Sequence, residues 1–119
     1  MGRTGPAYAS VRRGEIWTVS GGPDYAGKPR PWVIIQSDHF ALEHSVTLCG
    51  LTSGAGGPAI LRPLIDPHPD NGLDLPSRVM VDKITTVPRV KMGSRIGLLA
   101  RADMDRVERA LLLFLGFGN

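Results

Sequence analysis

The tightest constraint in this chain is Trp32-Val33-Ile34-Ile35, four apolar residues with no polar alternation. A strand apolar on both faces belongs deep in a sheet. A second strand precedes it at Gly14–Ser20, where Ile16, Trp17 and Val19 supply β-type bulk. Between the two, Gly21 to Pro31 holds three glycines, three prolines and no aliphatic run, which predicts a surface loop. Arg30 stands where that loop re-enters the sheet, held between Pro29 and Pro31. A cation fixed at the base of a Gly-rich loop suits an anionic ligand. A surface arginine after a turn reads the same residues equally well.

At 119 residues the chain predicts one domain, with a core small enough that a dimer interface would help bury apolar surface. Its net charge of +3 permits a nucleic-acid partner without demanding one. Cys49 is the single cysteine and lies in an apolar run. An internal disulfide is therefore impossible, and a buried free thiol suits a reducing compartment. There is no apolar signal region and no run of about 18 apolar residues. The expectation is a soluble, cytoplasmic protein with no membrane segment. Residues 1–11 read as a flexible leader and 12–119 as the domain.

Further along, Ser37 or Asp38 is placed to cap a short helical turn. Val46–Thr52 reads as a third strand, with Gly50 leaving room for a close neighbour. Ser53–Pro58 is too Gly-rich for regular structure. Ala59–Arg62 reads as a fourth strand, sent to an edge or bent by Pro63. Asp66–Pro76 predicts a long loop, tightest at Asn71-Gly72. Ser77–Asp82 and Lys83–Val87 form a strand pair or one kinked strand. Arg89–Gly97 is basic, with Val90, Met92 and Ile96 as its anchors.

Ala102–Leu115 changes period. Met104, Val107, Leu111 and Phe114 mark one face of an amphipathic helix. Asp105 and Arg109 make an i, i+4 pair. Gly116 is placed to cap the end, and no good cap precedes the start. Leu111–Leu115 is apolar all round, buried against the sheet or partly in a subunit interface. The sum is a mainly β (α+β) chain: a small SH3-like barrel of about six short strands with a C-terminal helix.

Most catalytic chemistries are hard to build here. His39, His44 and His68 are scattered through loops without metal-ligand spacing. Asp66, Asp70 and Asp74 share one loop and read as solvated charge. No nucleophile elbow, Walker or dinucleotide motif occurs, so no metal or cofactor is implied. What remains is Arg30, whose planar fork suits phosphate oxygens, and the hydroxyls of Thr52 and Ser53 at a strand end.

The order of blocks carries more than any one of them. RRGEIWTV, GKPRPWVIIQSD, VTLCGLTS, NGLDLPSRVMVDKITTVPRVKM and SRIGLLARADMDRVERAL follow one another over Arg12 to Leu115. In that order they resemble the MazF/PemK toxin endoribonucleases of bacterial toxin–antitoxin pairs. The resemblance implies an SH3-like barrel that forms a homodimer and cleaves single-stranded RNA at short sequences without a metal. It implies Arg30 and Thr52 as the catalytic pair. Attack by a ribose 2′-OH on the adjacent phosphate would then be assisted by Arg30, which stabilises phosphorane charge, and by Thr52, which positions the phosphate.

On the same footing Ser53 is a reserve donor and Gln36 an RNA contact. Tyr25, in the Gly21–Lys28 loop, is a candidate for reading splayed bases, as is the SGAGGP loop. Lys28, Arg78, Arg89 and Lys91 are candidates for contacting the RNA backbone. The partner implied is a cognate antitoxin whose disordered tail folds into the RNA groove. Two other readings share the fold: a CcdB-like non-catalytic gyrase inhibitor and a binding-only nucleic-acid module. The ending Leu115-Gly116-Phe117-Gly118-Asn119 departs from the Trp-Gly-Ile type expected of the former.

Overall fold

The structure, a computed structural model, describes residues 10–21, 24–25, 28–41 and 44–118, with only the backbone of residues 24, 25 and 28. The strands are β1 (Glu15–Val19), β2 (Asp24–Tyr25), β3 (Lys28–Pro29), β4 (Pro31–Ile34), β5 (Ser45–Thr52), β6 (Leu64–Ile65), β7 (Ser77–Pro88) and β8 (Met92–Leu98). One helix, α1 (Arg101–Leu115), follows them. Six strands form a curled antiparallel sheet, a half-barrel, in the order β6-β7-β5-β4-β1-β8.

β4 lies deep in that sheet, as its apolar run requires. Val33 packs into one core with Ile16, Cys49, Leu51, Val79 and Val107, beneath α1. Ile34 packs into a second core on the other face, with Trp17, Val46, Leu48 and Met92. Val33 and Ile34 are fully buried, and each such side chain contributes about 2 kcal/mol. Burial also pushes the Cys49 thiol up to about 12, with Asp82 adding a smaller push. Cys49 is therefore a packing residue. Residues 1–9 of the expected leader lie outside the described residues, whereas Val11 is buried in the second core.

β7 is one strand with a kink. Its register against β5 shifts between Cys49↔Ile84 and Leu51↔Val79, leaving extra residues on the β7 side. Three expectations need correcting. The Gly21–Pro31 loop contains a short ribbon, since β2 pairs with β3. Ala59–Leu61 is a 3-10 turn rather than a strand, and the strand begins only after Pro63, as β6 on the sheet edge. Pro63 has no N–H for a ladder, and it disfavours helical backbone at Arg62, where the 3-10 turn ends.

The third correction concerns the basic run. Arg89–Lys91 is a 3-10 turn, but Met92–Leu98 is an edge strand against β1. Its two glycines hide it from β-propensity. Gly97 is nevertheless required, because a Cβ there would sit 2.3 Å from the Asn71 backbone.

In α1 the buried positions are Met104, Val107 and Ala110, with Leu111 partly covered. Phe114 was expected on that face but is exposed, as are Leu112, Leu113, Leu115 and Phe117. The last turn runs past the sheet it packs on. Asp105 pairs with Arg101 at 3.2 Å instead of Arg109, and Arg106 with Asp103 at 3.1 Å. Ala100 gives the start no side-chain cap. Gly116 is left-handed (φ 84°), and Phe117 N–H reaches Leu112 O at 2.9 Å, closing the end. Among the described residues no helix is long and apolar enough to cross a membrane.

Candidate active site

Arg30 joins β3 to β4, and prolines on both sides restrict its backbone. Its aliphatic stem crosses β5 where Gly50 stands opposite Trp32. A Cβ on Gly50 would lie 3.3 Å from Arg30 Cδ, 3.0 Å from Met80 Cε and 3.4 Å from Trp32. The bare backbone of Gly50 is therefore a seat for the arginine. Thr52 ends β5 two residues further on, 8% exposed, and its Oγ1 accepts the Gly54 N–H at 3.1 Å. That contact turns the chain into the Ser53–Pro58 loop and leaves the Thr52 O–H to donate. Ser53 is exposed beside it.

Arg30, Thr52 and Ser53 line one open cleft of about 200 Å³. The 72–75 segment, Ser77 and Ile96 line the same cleft. A half-buried guanidinium in such a cleft is poorly screened, so it binds an anion more strongly than a surface arginine does. A larger hollow of about 550 Å³ lies near the start of α1, lined by Asp66, Asp70 and Asp103 together with His68 and Arg101. Three carboxylates give it the wrong sign for a phosphate.

The other candidates are dispersed. Gln36 follows β4 at its far end: its Oε1 accepts Thr47 N–H at 2.9 Å and its Nε2 donates to Phe40 O at 2.9 Å. Ser37 caps the Asp38–Phe40 3-10 turn beside it, accepting His39 N–H at 3.2 Å. Arg89, expected on the surface for the RNA backbone, is 4% exposed and donates to Ala41 O, because that turn closes over it. Arg78 stands opposite Thr52 in the β5–β7 register, but its Nη1 donates to Arg62 O at 2.9 Å. Lys91 is exposed outside the cleft lining, and its carbonyl accepts Ser20 N–H at 2.8 Å. The side chains of Tyr25 and Lys28 lie outside the described residues.

Sequence reading missed two features. Arg62, 7% exposed, grips Asp82 in a bidentate pair at 2.9 and 3.1 Å and donates to Gly56 O at 3.1 Å. That hydrogen-bonded pair holds the Asp82 carboxyl below its usual range, with burial opposing. It ties the loop after Thr52 to the kink in β7. Nothing in the local sequence paired Arg62 with Asp82, 20 residues further on. The second feature is the 72–75 lining of the cleft, where nothing in the local sequence marked Asp74. Among the described residues no group of three or more His, Cys, Asp or Glu side chains gathers as a metal site would.

A curled antiparallel sheet with one C-terminal helix and an arginine–threonine cleft defines a small, mainly β protein. Comparison with known proteins says which. The family described as PemK-like, MazF-like toxin of type II toxin–antitoxin system matches residues 12–115. A probable endoribonuclease MazF from Mycolicibacterium smegmatis is 47% identical over 109 residues, 92% of this chain and all of the relative.

Among solved structures, an endoribonuclease in complex with its cognate antitoxin from a mycobacterial species superposes with a TM-score of 0.73 at 21% identity, covering 90% of this chain and 96% of that one. The Mycobacterium tuberculosis toxin MazF-mt6 gives 0.72 at 23%, covering 88% and 99%. A MazE–MazF structure from Deinococcus radiodurans gives 0.70 at 15%, covering 92% and 99%. At these identities the structures speak for the fold. The chain belongs to the PemK-like, MazF-like toxin family and is an endoribonuclease of the MazF type.

Proposed function

We propose that the protein is a sequence-specific, metal-independent endoribonuclease that cuts single-stranded RNA at the Arg30–Thr52 cleft. The observation that carries this is the seating of Arg30 over Gly50, which brings its guanidinium into the same cleft as Thr52. In that reading the scissile phosphate sits between them. Arg30 holds the non-bridging oxygens, with more charge to stabilise in the phosphorane than in the diester. Thr52 donates its O–H to the phosphate, and Ser53 flanks it. The ribose 2′-oxygen attacks phosphorus and the 5′-oxygen leaves, giving a 2′,3′-cyclic phosphate and a 5′-OH. Metal independence is supported by the donor set, since the described lining of the cleft brings together a cation and hydroxyls with a single carboxylate.

The partners belong to the same proposal. The exposed apolar residues Leu112, Phe114, Leu115 and Phe117 support a homodimer. A cognate antitoxin tail, acidic and apolar, would occupy the cleft and compete with RNA, in the cytoplasm where both are made. The messenger, transfer or ribosomal target is to be read from the cut sites.

The test is cleavage of a long mixed-sequence RNA in excess EDTA with 5′-ends mapped, alongside Arg30→Ala and Thr52→Ala. Discrete cuts lost in both variants support the reading. A folded Arg30→Ala protein that cuts at the wild-type rate overturns it.

A further inference from the structure

Attack by a 2′-oxygen requires something to take its proton, and Arg30 offers no lone pair for the task. Of the described side chains lining the cleft, Arg30 and Asp74 are the ionisable ones. Ser77 does not supply an alternative, since its hydroxyl donates to Leu75 O at 2.8 Å. Asp74 lines the same cleft as Arg30 and Thr52 and belongs to the Asp66–Pro76 loop.

That loop is held from within. Asn71, 3% exposed, accepts His68 N–H at 3.1 Å and Leu73 N–H at 3.0 Å and donates to Asp66 O at 2.9 Å. Leu73 is packed in the core, and Ser77 starts β7. Asp74 is thus carried by a short segment anchored at both ends, the preorganised support a catalytic group needs.

We propose that Asp74 is the general base of the reaction, an inference that rests on the endoribonuclease reading of the cleft. Its carboxylate takes the 2′-OH proton as the 2′-oxygen bonds to phosphorus. The P–O5′ bond breaks with its electron pair going to O5′, which takes a proton from solvent. Asp74 then returns its proton to solvent, so none is consumed overall. An uncharged hydroxyl of Thr52 or Ser53 is too weak a base for this step at neutral pH.

Among the described residues, the charged group that lines the cleft with Asp74 is Arg30. β5 and β8 bring only uncharged lining there, through Leu51, Thr52, Ser53 and Ile96. On its own loop His68 shares with Asp74 a shallow hollow behind the cleft. His68 Nδ1 accepts Asp70 N–H at 3.0 Å and lies 3.6 Å from the Asp70 carboxylate. Asp66 completes the charges of that loop, and Asp103 and Arg101 of α1 lie on its far side.

The test is steady-state cleavage of an RNA oligonucleotide carrying a mapped cut site, at neutral pH, with D74N, D74E and H68Q. Binding of the same oligonucleotide with 2′-deoxyribose at the cut position is measured in parallel. D74N is expected to lower kcat by about 100- to 1,000-fold. Its affinity for the deoxy oligonucleotide stays within about threefold. D74E recovers at least about tenfold, and H68Q keeps the wild-type rate. The proposal is overturned if D74N keeps its rate, or loses it through KM alone, or if H68Q loses kcat as D74N does. Wild type that cuts no RNA overturns both readings, whereas wild type that cuts with D74N unaltered overturns this one alone.

Discussion

Arg30 enters β4 over an open cleft, and Gln36 leaves that strand beside the Asp38–Phe40 turn, where Arg89 is buried. The two places use the same donor chemistry for different ends. Around the turn, donors meet fixed backbone oxygens: Gln36 at Phe40, Arg89 at Ala41, Arg89 N–H at His44 O at 2.7 Å. Asp38 accepts Arg13 N–H at 2.7 Å on the same side. At the cleft, Arg30 and the Thr52 hydroxyl line a space large enough for a phosphate. Residue type alone therefore does not separate a ligand-binding cation from a structural one. The separation depends on where the fold puts the side chain, at the lining of an open cleft or beneath a closing turn.

The sharpest way to break that contrast is to remove one arginine from each region. Arg30→Ala is expected to cut RNA about 100- to 1,000-fold more slowly, the loss of one transition-state charge contact. Its urea midpoint should stay near wild type. Arg89→Ala is expected to cost about 3 kcal/mol in urea unfolding, through an unsatisfied Ala41 carbonyl and a cavity. The rate per folded molecule should be unchanged. An Arg89 variant of full stability and low activity would move Arg89 to the RNA side.

Asp82→Asn tests a third arginine, Arg62, and is expected to cost about 2 kcal/mol at neutral pH. The sign of the pH dependence follows from the lowered Asp82 pKa. Its stabilisation is fully present above the unfolded carboxyl value of about 3.9 and is lost as pH falls through the lower folded value. Acid titration of Asp82→Asn by circular dichroism should therefore show a shallower fall below about pH 4 than wild type.

Gly50→Ala sharpens the comparison from the cleft side. Its Cβ would displace the Arg30 stem, so about a tenfold loss of rate is expected with cut positions unchanged. The smallest effect is Gln36→Ala, about 1 kcal/mol of stability with near-normal cutting. A large loss of cutting there would restore Gln36 as an RNA contact.

Much of this was legible in the chain itself. Trp32–Ile35 has no polar face, so β4 had to be central. Gly50 announced a close approach, and Gly116 a helix end. Cys49 sat in an apolar run and is core. Arg30 and Thr52 stood out because prolines and a strand end fixed their surroundings locally. The barrel strands that alternate or run apolar were likewise visible, while β8, interrupted by Gly93 and Gly97, was hidden because glycine carries no β-signal of its own.

The fates of Arg62, Arg89 and Gln36 were not legible. Arg62 meets Asp82 20 residues away, and Arg89 meets Ala41 48 residues away. Nor did anything local say that Asp74 would line the same cleft as Arg30. Period, turn chemistry and apolar runs are properties of neighbouring residues, so the sequence by itself determined β1, β4, β5 and α1, together with the depth of β4. A charged side chain's energy depends instead on which dipoles and carbonyls surround it. Those arrive only when distant strands pair and a loop such as Asp66–Pro76 folds back on the sheet. The tertiary structure therefore decided which arginine is a strut and which lines the cleft.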